Sequence, residues 1–330
     1  MSNQQGPARI APEMGHRPSQ LSKTLRAIVL STPFVQAVAL PACCLDVTGG
    51  DACADAGPYS AVEPLSPGSY GDAGPLPCET ICRDDFPHCG TADCNLCSDK
   101  GTPSVECKFG GCGGRRPSRL RAARRPRASA HPLGVLWRDA SRLEGAAVIA
   151  FRTLDRELRA HHAPAELVAQ ACRAIGEEIR HARLTAALCR SYGERPARAS
   201  APVSRAVRSL RVIARDNATE GCVRETFGAL LALWQAKHAS DAKTRRVMKS
   251  IAPDEVRHAE IAWSVASWAE PQLSESARRD IDAARREAFV ELLRSTEGRI
   301  PAAHVTVAGL PRPVTARRLA ERMGEVLSLA

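Results

Sequence analysis

The sequence predicts an all-α protein, a four-helix bundle with extra C-terminal helices, and three observations carry that prediction. Aromatic residues make up only 4% of the chain, and most of its apolar content is alanine, leucine and valine, a composition that favours helices over a β-sandwich. From about Leu133 onward, apolar residues recur at helical spacing in long runs. Within those runs one pattern occurs twice, a glutamate followed 34 or 35 residues later by an acid-Glu-x-Arg-His cluster.

Each helix has its own punctuation. The first runs roughly over 134–160 and stops before His161-His162-Ala163-Pro164; the second covers 165–190 and ends near Gly193 and Pro196. The third begins with Ser209 as N-cap and reaches about Ala239; the fourth spans 241–269 and is closed by Pro271. A fifth helix over 274–295 and a short terminal one over 314–328 follow. The first–second and third–fourth connections are short, which makes those helices antiparallel neighbours. The second–third connection carries Gly193, Pro196 and Pro202 and is the only one long enough to cross the bundle.

The 330 residues leave room for accessory segments ahead of the bundle. Lys23 and Arg26 precede a mostly apolar run, Ala27 to Ala42, too short to span a membrane and suited to an export signal. It ends Leu40-Pro41-Ala42-Cys43, a lipobox-like stretch apart from the proline. Residues 1–43 therefore read as an export segment, with Met14 an alternative start and Cys43 either a lipidation site or the residue after simple cleavage. The expected location is periplasmic or membrane-anchored. Ten of the thirteen cysteines fall between Cys43 and Cys112, so residues 44–114 read as an irregular, disulfide-stapled segment. The rival reading is a zinc knuckle of Cys94, Cys97, Cys107 and Cys112. The net charge of +10 is local, because seven arginines lie between Arg115 and Arg127. Without aromatics for base stacking, residues 115–132 read as a solvated linker and not as a nucleic-acid arm. The bundle then occupies 133–270 and a helical extension 271–330.

The repeat carries the chemistry. Leu143-Glu144-Gly145 matches Thr219-Glu220-Gly221 at a shift of 76, and Glu177-Glu178-Ile179-Arg180-His181 matches Asp254-Glu255-Val256-Arg257-His258 at a shift of 77. Residues three apart on a helix project to one side, so Glu178 pairs with His181 and Glu255 with His258. Both pairs sit in apolar stripes: the fourth helix aligns Ile251, Glu255, His258, Ala262 and Val265, and the first aligns Trp137, Glu144, Val148 and Phe151. Four carboxylates converging in a bundle interior repel one another unless protonated or neutralised. Two divalent cations would cancel them, and an oxygen and imidazole donor set without thiolates suits iron or manganese.

The doubled motif resembles the ferritin-like di-iron carboxylate superfamily, with echoes in the ribonucleotide reductase small subunit, acyl-carrier-protein desaturases and bacterial hydrocarbon monooxygenases. The cysteine-rich lead-in adds a resemblance to uncharacterised myxobacterial ferritin-like lipoproteins. The resemblance covers about 134–270 and implies a ferritin-like bundle with a long crossover. It implies the metal ligands Glu144, Glu178, His181, Glu220, Glu255 and His258, with Glu177, Arg180, Asp254 and Arg257 orienting them. It also implies two iron ions, or manganese or a mixed pair, and a reaction with dioxygen fed by an unknown electron donor. Tyr192, the single tyrosine of the bundle, lies at the far end of the second helix, which disfavours a stable tyrosyl radical at the metals. Two functional readings remain: a di-iron oxidase or oxygenase, and a non-catalytic metal-binding or structural protein of the periplasm or cell surface, attached to the membrane where Cys43 is lipidated. Neither calls for nucleic acid.

Overall fold

Apolar residues recur at Leu21, Leu25, Ile28 and Val29, one face of a helix, and this stretch forms α1 (Pro18–Ser31). The structure, a computed structural model, describes residues 18–32, 115–117, 120, 130–201, 206–298 and 300–329, and the backbone of strands between 60 and 109. Where the sequence suggested irregular chain, that backbone pairs β1 (Ser60–Pro64) and β4 (Thr91–Asp99) with β5 (Thr102–Phe109), all antiparallel; β2 (Tyr70–Gly71) pairs with β3 (Gly74–Pro75). The alternation of polar Thr102, Ser104, Glu106 and Lys108 along β5 is the period-two signal, and the register sets Cys94 opposite Cys107. The expected disulfides, the zinc knuckle and the Cys43 lipidation site all lie outside the described side chains.

The bundle begins with α2 (Pro132–Ala160). Its start is fixed by His131, whose Nδ1 accepts the Leu133 amide at 3.2 Å, and by Pro132, which has no amide to leave unpaired. A turn with His162 at φ 55 leads into α3 (Ala165–Ser191). After Ser209 comes α4 (Leu210–Asp216), which continues into a π-helical stretch, Asn217–Glu225, and then α5 (Thr226–His238). The third helix of the sequence reading is thus a succession of two windings. Asp241 accepts the Thr244 amide at 2.7 Å and opens α6 (Ala242–Ala269), which gives way to a 3₁₀ turn at Pro271. Ser274 caps α7 (Glu275–Ser295), and α8 (Ala302–Thr306) and α9 (Pro313–Leu327) follow.

The described residues of the 192–209 connection touch both ends of α2. At its start Tyr192 stacks on His131 at 5.0 Å, beside the beginning of α2. At its end the Arg208 carbonyl bonds His161, at the other end of the same helix, across 2.8 Å. Between them Ala199 lies against Gly145 of α2. One apolar core, with Phe151, Leu154, Leu158, Ala171, Ile213 and Val265, fills the space among the four principal helices. A second is built from α1, the third-helix rod, α7 and α9, where Leu21 and Leu25 bury against Phe227, Leu230, Trp234 and Phe289. The stretch expected to begin an export signal therefore supplies core. None of the described helices is long and apolar enough to cross a membrane.

Candidate metal centre

Two helices supply the heart of the site. On α3, Glu178 and His181 lie one turn apart; on α6, Glu255 and His258 repeat the arrangement, and all four are buried. One ligand-capable atom from each lies within 4.8 Å of the others. His181 Nδ1 stands 3.0 Å from Glu255 Oε1 and 3.6 Å from Glu178 Oε2, while His258 Nδ1 stands 3.0 Å from Glu178 Oε1.

The far nitrogens are fixed by exchange between the helices. His181 Nε2 donates to Asp254 Oδ2 of α6 at 3.0 Å, and His258 Nε2 donates to Glu177 Oε2 of α3 at 2.8 Å. An ionised carboxylate only accepts, so each ring carries its proton on Nε2 and turns Nδ1 inward. Arg257 holds Glu177 at 2.7 Å and also bonds Asp254, which Arg180 pairs from the other side. The inward atoms lack such partners. His181 Nδ1, His258 Nδ1, Glu178 Oε2 and Glu255 Oε1 are buried and make no hydrogen bond. Buried polar atoms are rarely left so, and four aimed at one point are the donor set a cation would complete.

Charge is unevenly settled across this group. Burial alone would raise the Glu178 carboxyl, but the flanking His181 and His258 rings hold it at about 2. Burial opposes a charged His258, yet Glu177 and Glu178 carry it well above the ordinary imidazole value; His181 is raised against burial by Glu178 and Glu255. Glu144 of α2 faces the same centre, its Oε2 at 3.8 Å from His181 Nδ1. Burial and then the negative charges of Glu178 and Glu255 push its carboxyl well above the ordinary value. Its side chain is 20% exposed, against 2% for Glu178 and none for the histidines.

Of the expected ligands, Glu220 stands apart. Although buried, it accepts the Arg116 amide at 2.7 Å and pairs with Arg224 at 3.3 Å; like Glu144, it lies outside the four-residue Glu/His group. The third helix instead brings Glu225 within electrostatic reach of the centre. Glu225 is fully buried and feels the charges of His258, Glu255 and Glu178; burial lifts its carboxyl to about 7 even with Arg115 beside it. The reason is winding. In a π-helix hydrogen bonds run from i to i+5, which brings residues five apart onto nearby faces, one turn displaced. Thr226 Oγ1 reaching back to the Gly221 carbonyl at 3.4 Å follows that spacing. Sequence reasoning pointed to Glu220, one turn before Glu225.

It also missed Arg115. Assigned by sequence to a solvated linker, this residue is 5% exposed: its Nε pairs with Glu225 Oε2 at 3.2 Å, and a second nitrogen donates to Asn217 Oδ1 at 2.7 Å. Tyr192, eleven residues beyond His181, is about 16 Å further along α3 at a rise of about 1.5 Å per residue.

Fold and site together define an all-α bundle whose buried Glu/His group can hold a metal ion. The chain matches no protein-family model, no curated protein and no solved structure.

Proposed function

We propose that this group is the heart of a two-metal carboxylate centre, with iron as the metal, in a ferritin-like bundle that reacts with dioxygen. The observation that carries the proposal is the pair of buried imidazoles. Each is pinned by a carboxylate of the opposite helix, and each points an unpartnered Nδ1 at the same carboxylates. We assign the ligands Glu144, Glu178 and His181 to one half and Glu225, Glu255 and His258 to the other. Glu225 takes the place that spacing gave to Glu220. Oxygen and imidazole donors without a thiolate suit iron, with manganese or a mixed pair the neighbouring choices.

Loaded with iron, the centre would supply redox chemistry toward dioxygen. The chain's own residues prepare for it. Asp254 and Glu177 hold the ring tautomers, while Arg180 pairs with Asp254 and Arg257 with Glu177 to keep them in place. Phe151, 5.0 Å from the His258 ring, closes the site on its apolar side. Glu144 holds a proton that it must release when a cation arrives, and its partial exposure marks the side from which small molecules enter.

The test is to load the full chain with ferrous iron without air and then admit oxygen. The proposal expects about two ions per chain, a ferric absorption band and rapid oxygen uptake. Metal that binds and ignores oxygen would identify the second reading, a non-catalytic metal-binding protein, which the near-complete enclosure of Glu178, His181 and His258 favours. Export is a separate proposal with its own test. Cleavage before Cys43 would remove α1 from the core, so the intact mass of the protein from its native source decides between a signal and a structural helix.

A further inference from the structure

Residues 115–117 lie across the π-helical stretch and engage both of its glutamates. The Arg116 amide donates to Glu220 Oε2 at 2.7 Å, and the Arg115 guanidinium pairs with Glu225 Oε2 at 3.2 Å. The seat for that guanidinium is built. Asn217 accepts one nitrogen at 2.7 Å, and the Phe151 ring lies 5.4 Å from its central carbon. Gly221 leaves the room, since a Cβ there would stand 2.4 Å from the guanidinium. Glu225 keeps its other oxygen, Oε1, buried and without a hydrogen bond.

The consequence is electrostatic. Of the four carboxylates around the centre, Glu144, Glu178, Glu225 and Glu255, one is already neutralised by a cation that belongs to the chain. Once Glu144 has given up its proton, the other three balance one divalent ion more than fully and a second only in part. A second ion that used Glu225 would lie close to a buried positive charge, where repulsion is weakly screened.

We propose that Arg115 is an internal counter-ion of Glu225 that the second metal ion must displace, so that filling the centre releases residues 115–117 from the bundle. The proposal rests on the two-metal reading above. It is a linkage, and so reciprocal: whatever loosens the 115–117 segment tightens the second ion, and the second ion loosens the segment. No covalent bond within the chain changes; the guanidinium–carboxylate pair breaks, a metal–carboxylate bond to Glu225 forms, and the guanidinium moves to water.

The probe is manganese(II), titrated into the full-length protein, with paramagnetic resonance distinguishing single from coupled ions and hydrogen exchange following the Arg116 amide. Wild type should bind a first ion tightly and a second more weakly, and the Arg116 amide should exchange faster once the second site fills. Arg115→Gln keeps a donor for Asn217 without the charge and should tighten the second ion about tenfold or more. Arg115→Lys, which keeps the charge, should leave the second ion close to its wild-type affinity. The exchange measurement on wild type stands even where a variant fails to fold. Two ions bound with no change at Arg116, or an Arg115→Gln protein whose second ion is no tighter, would overturn the counter-ion role and leave the centre intact. A wild-type chain that takes no manganese would overturn the centre itself.

Discussion

The two halves of the bundle carry the same written signature and place it differently. In the α2–α3 half the helices are regular, and Glu144, Glu178 and His181 all reach the centre. In the other half Glu255 and His258 hold the mirrored positions on α6, but in the π-helical stretch Glu220 pairs with Arg224 and the Arg116 amide, while Glu225 comes within electrostatic reach of the centre. An i,i+3 pair needs only one helical turn to be right. A lone glutamate depends on the winding of everything between it and the pair it is meant to meet. The difference teaches that repeat spacing is trustworthy inside a turn and fragile across a change of winding.

The comparison can be broken most directly where the halves agree. Glu178→Ala removes the carboxylate that touches both imidazoles, and metal affinity should drop by about 100-fold or more, measured by equilibrium dialysis; removing only an orienting neighbour costs 10–100-fold. Retention of wild-type affinity would mean that metal binds elsewhere. The next effect separates Glu225 from Glu220. Glu225→Gln should lose the second ion while Glu220→Gln keeps both, as read by elemental analysis; the reverse result would restore the spacing-based ligand and remove the role given to the π-stretch.

A smaller effect tests the mirror symmetry itself. Asp254→Asn and Glu177→Gln each loosen one imidazole, and each should lower metal affinity by about 10–100-fold, to a similar extent. A large effect from one alone would mean that only one half holds metal. The smallest effect concerns protons in the metal-free protein. His181 and His258 have raised values, so their contribution to stability is whole below the ordinary 6.5 and is lost as pH climbs through the raised range. Glu225, lifted to about 7, acts in the same direction because its ionised form is the disfavoured one in the fold. Glu177 and Glu178, lowered from 4.5 to about 2, keep their contribution above the ordinary 4.5 and lose it as the pH falls from there through about 2. Thermal unfolding of metal-free protein should therefore show a fall of a few degrees between about pH 6 and about pH 8.5, and a rise over that interval would contradict the charge states described.

Much of this was legible in the sequence, for physical reasons. Helix limits at Asp241 and Ser274 follow from local capping chemistry, Ser209 stands at the N-cap position without a side-chain capping bond, and the Glu178/His181 and Glu255/His258 pairs follow from helical geometry. Glu225 was not legible, because nothing in a single sequence marks Asn217–Glu225 as π-wound. Arg115 was hidden by its company: a run of arginines reads as solvated, and its acid partner is 110 residues away. The face Leu21, Leu25, Ile28 and Val29 was visible but lay at the edge of an apolar run whose flanking Lys23 and Arg26 suggest a leader. Only the packing against Phe227 and Trp234 distinguishes a core helix from such a leader.

The central claim is that His181 and His258, each pinned at Nε2, turn Nδ1 toward a shared pair of metal ions. X-ray absorption on full-length protein loaded with ferrous iron without air tests it most directly. The account predicts imidazole nitrogen and carboxylate oxygen around iron, with a second iron nearby, and loss of the imidazole signal in a His181→Ala, His258→Ala double variant. A spectrum without imidazole or a neighbouring iron, or one that the double variant leaves unchanged, would contradict it.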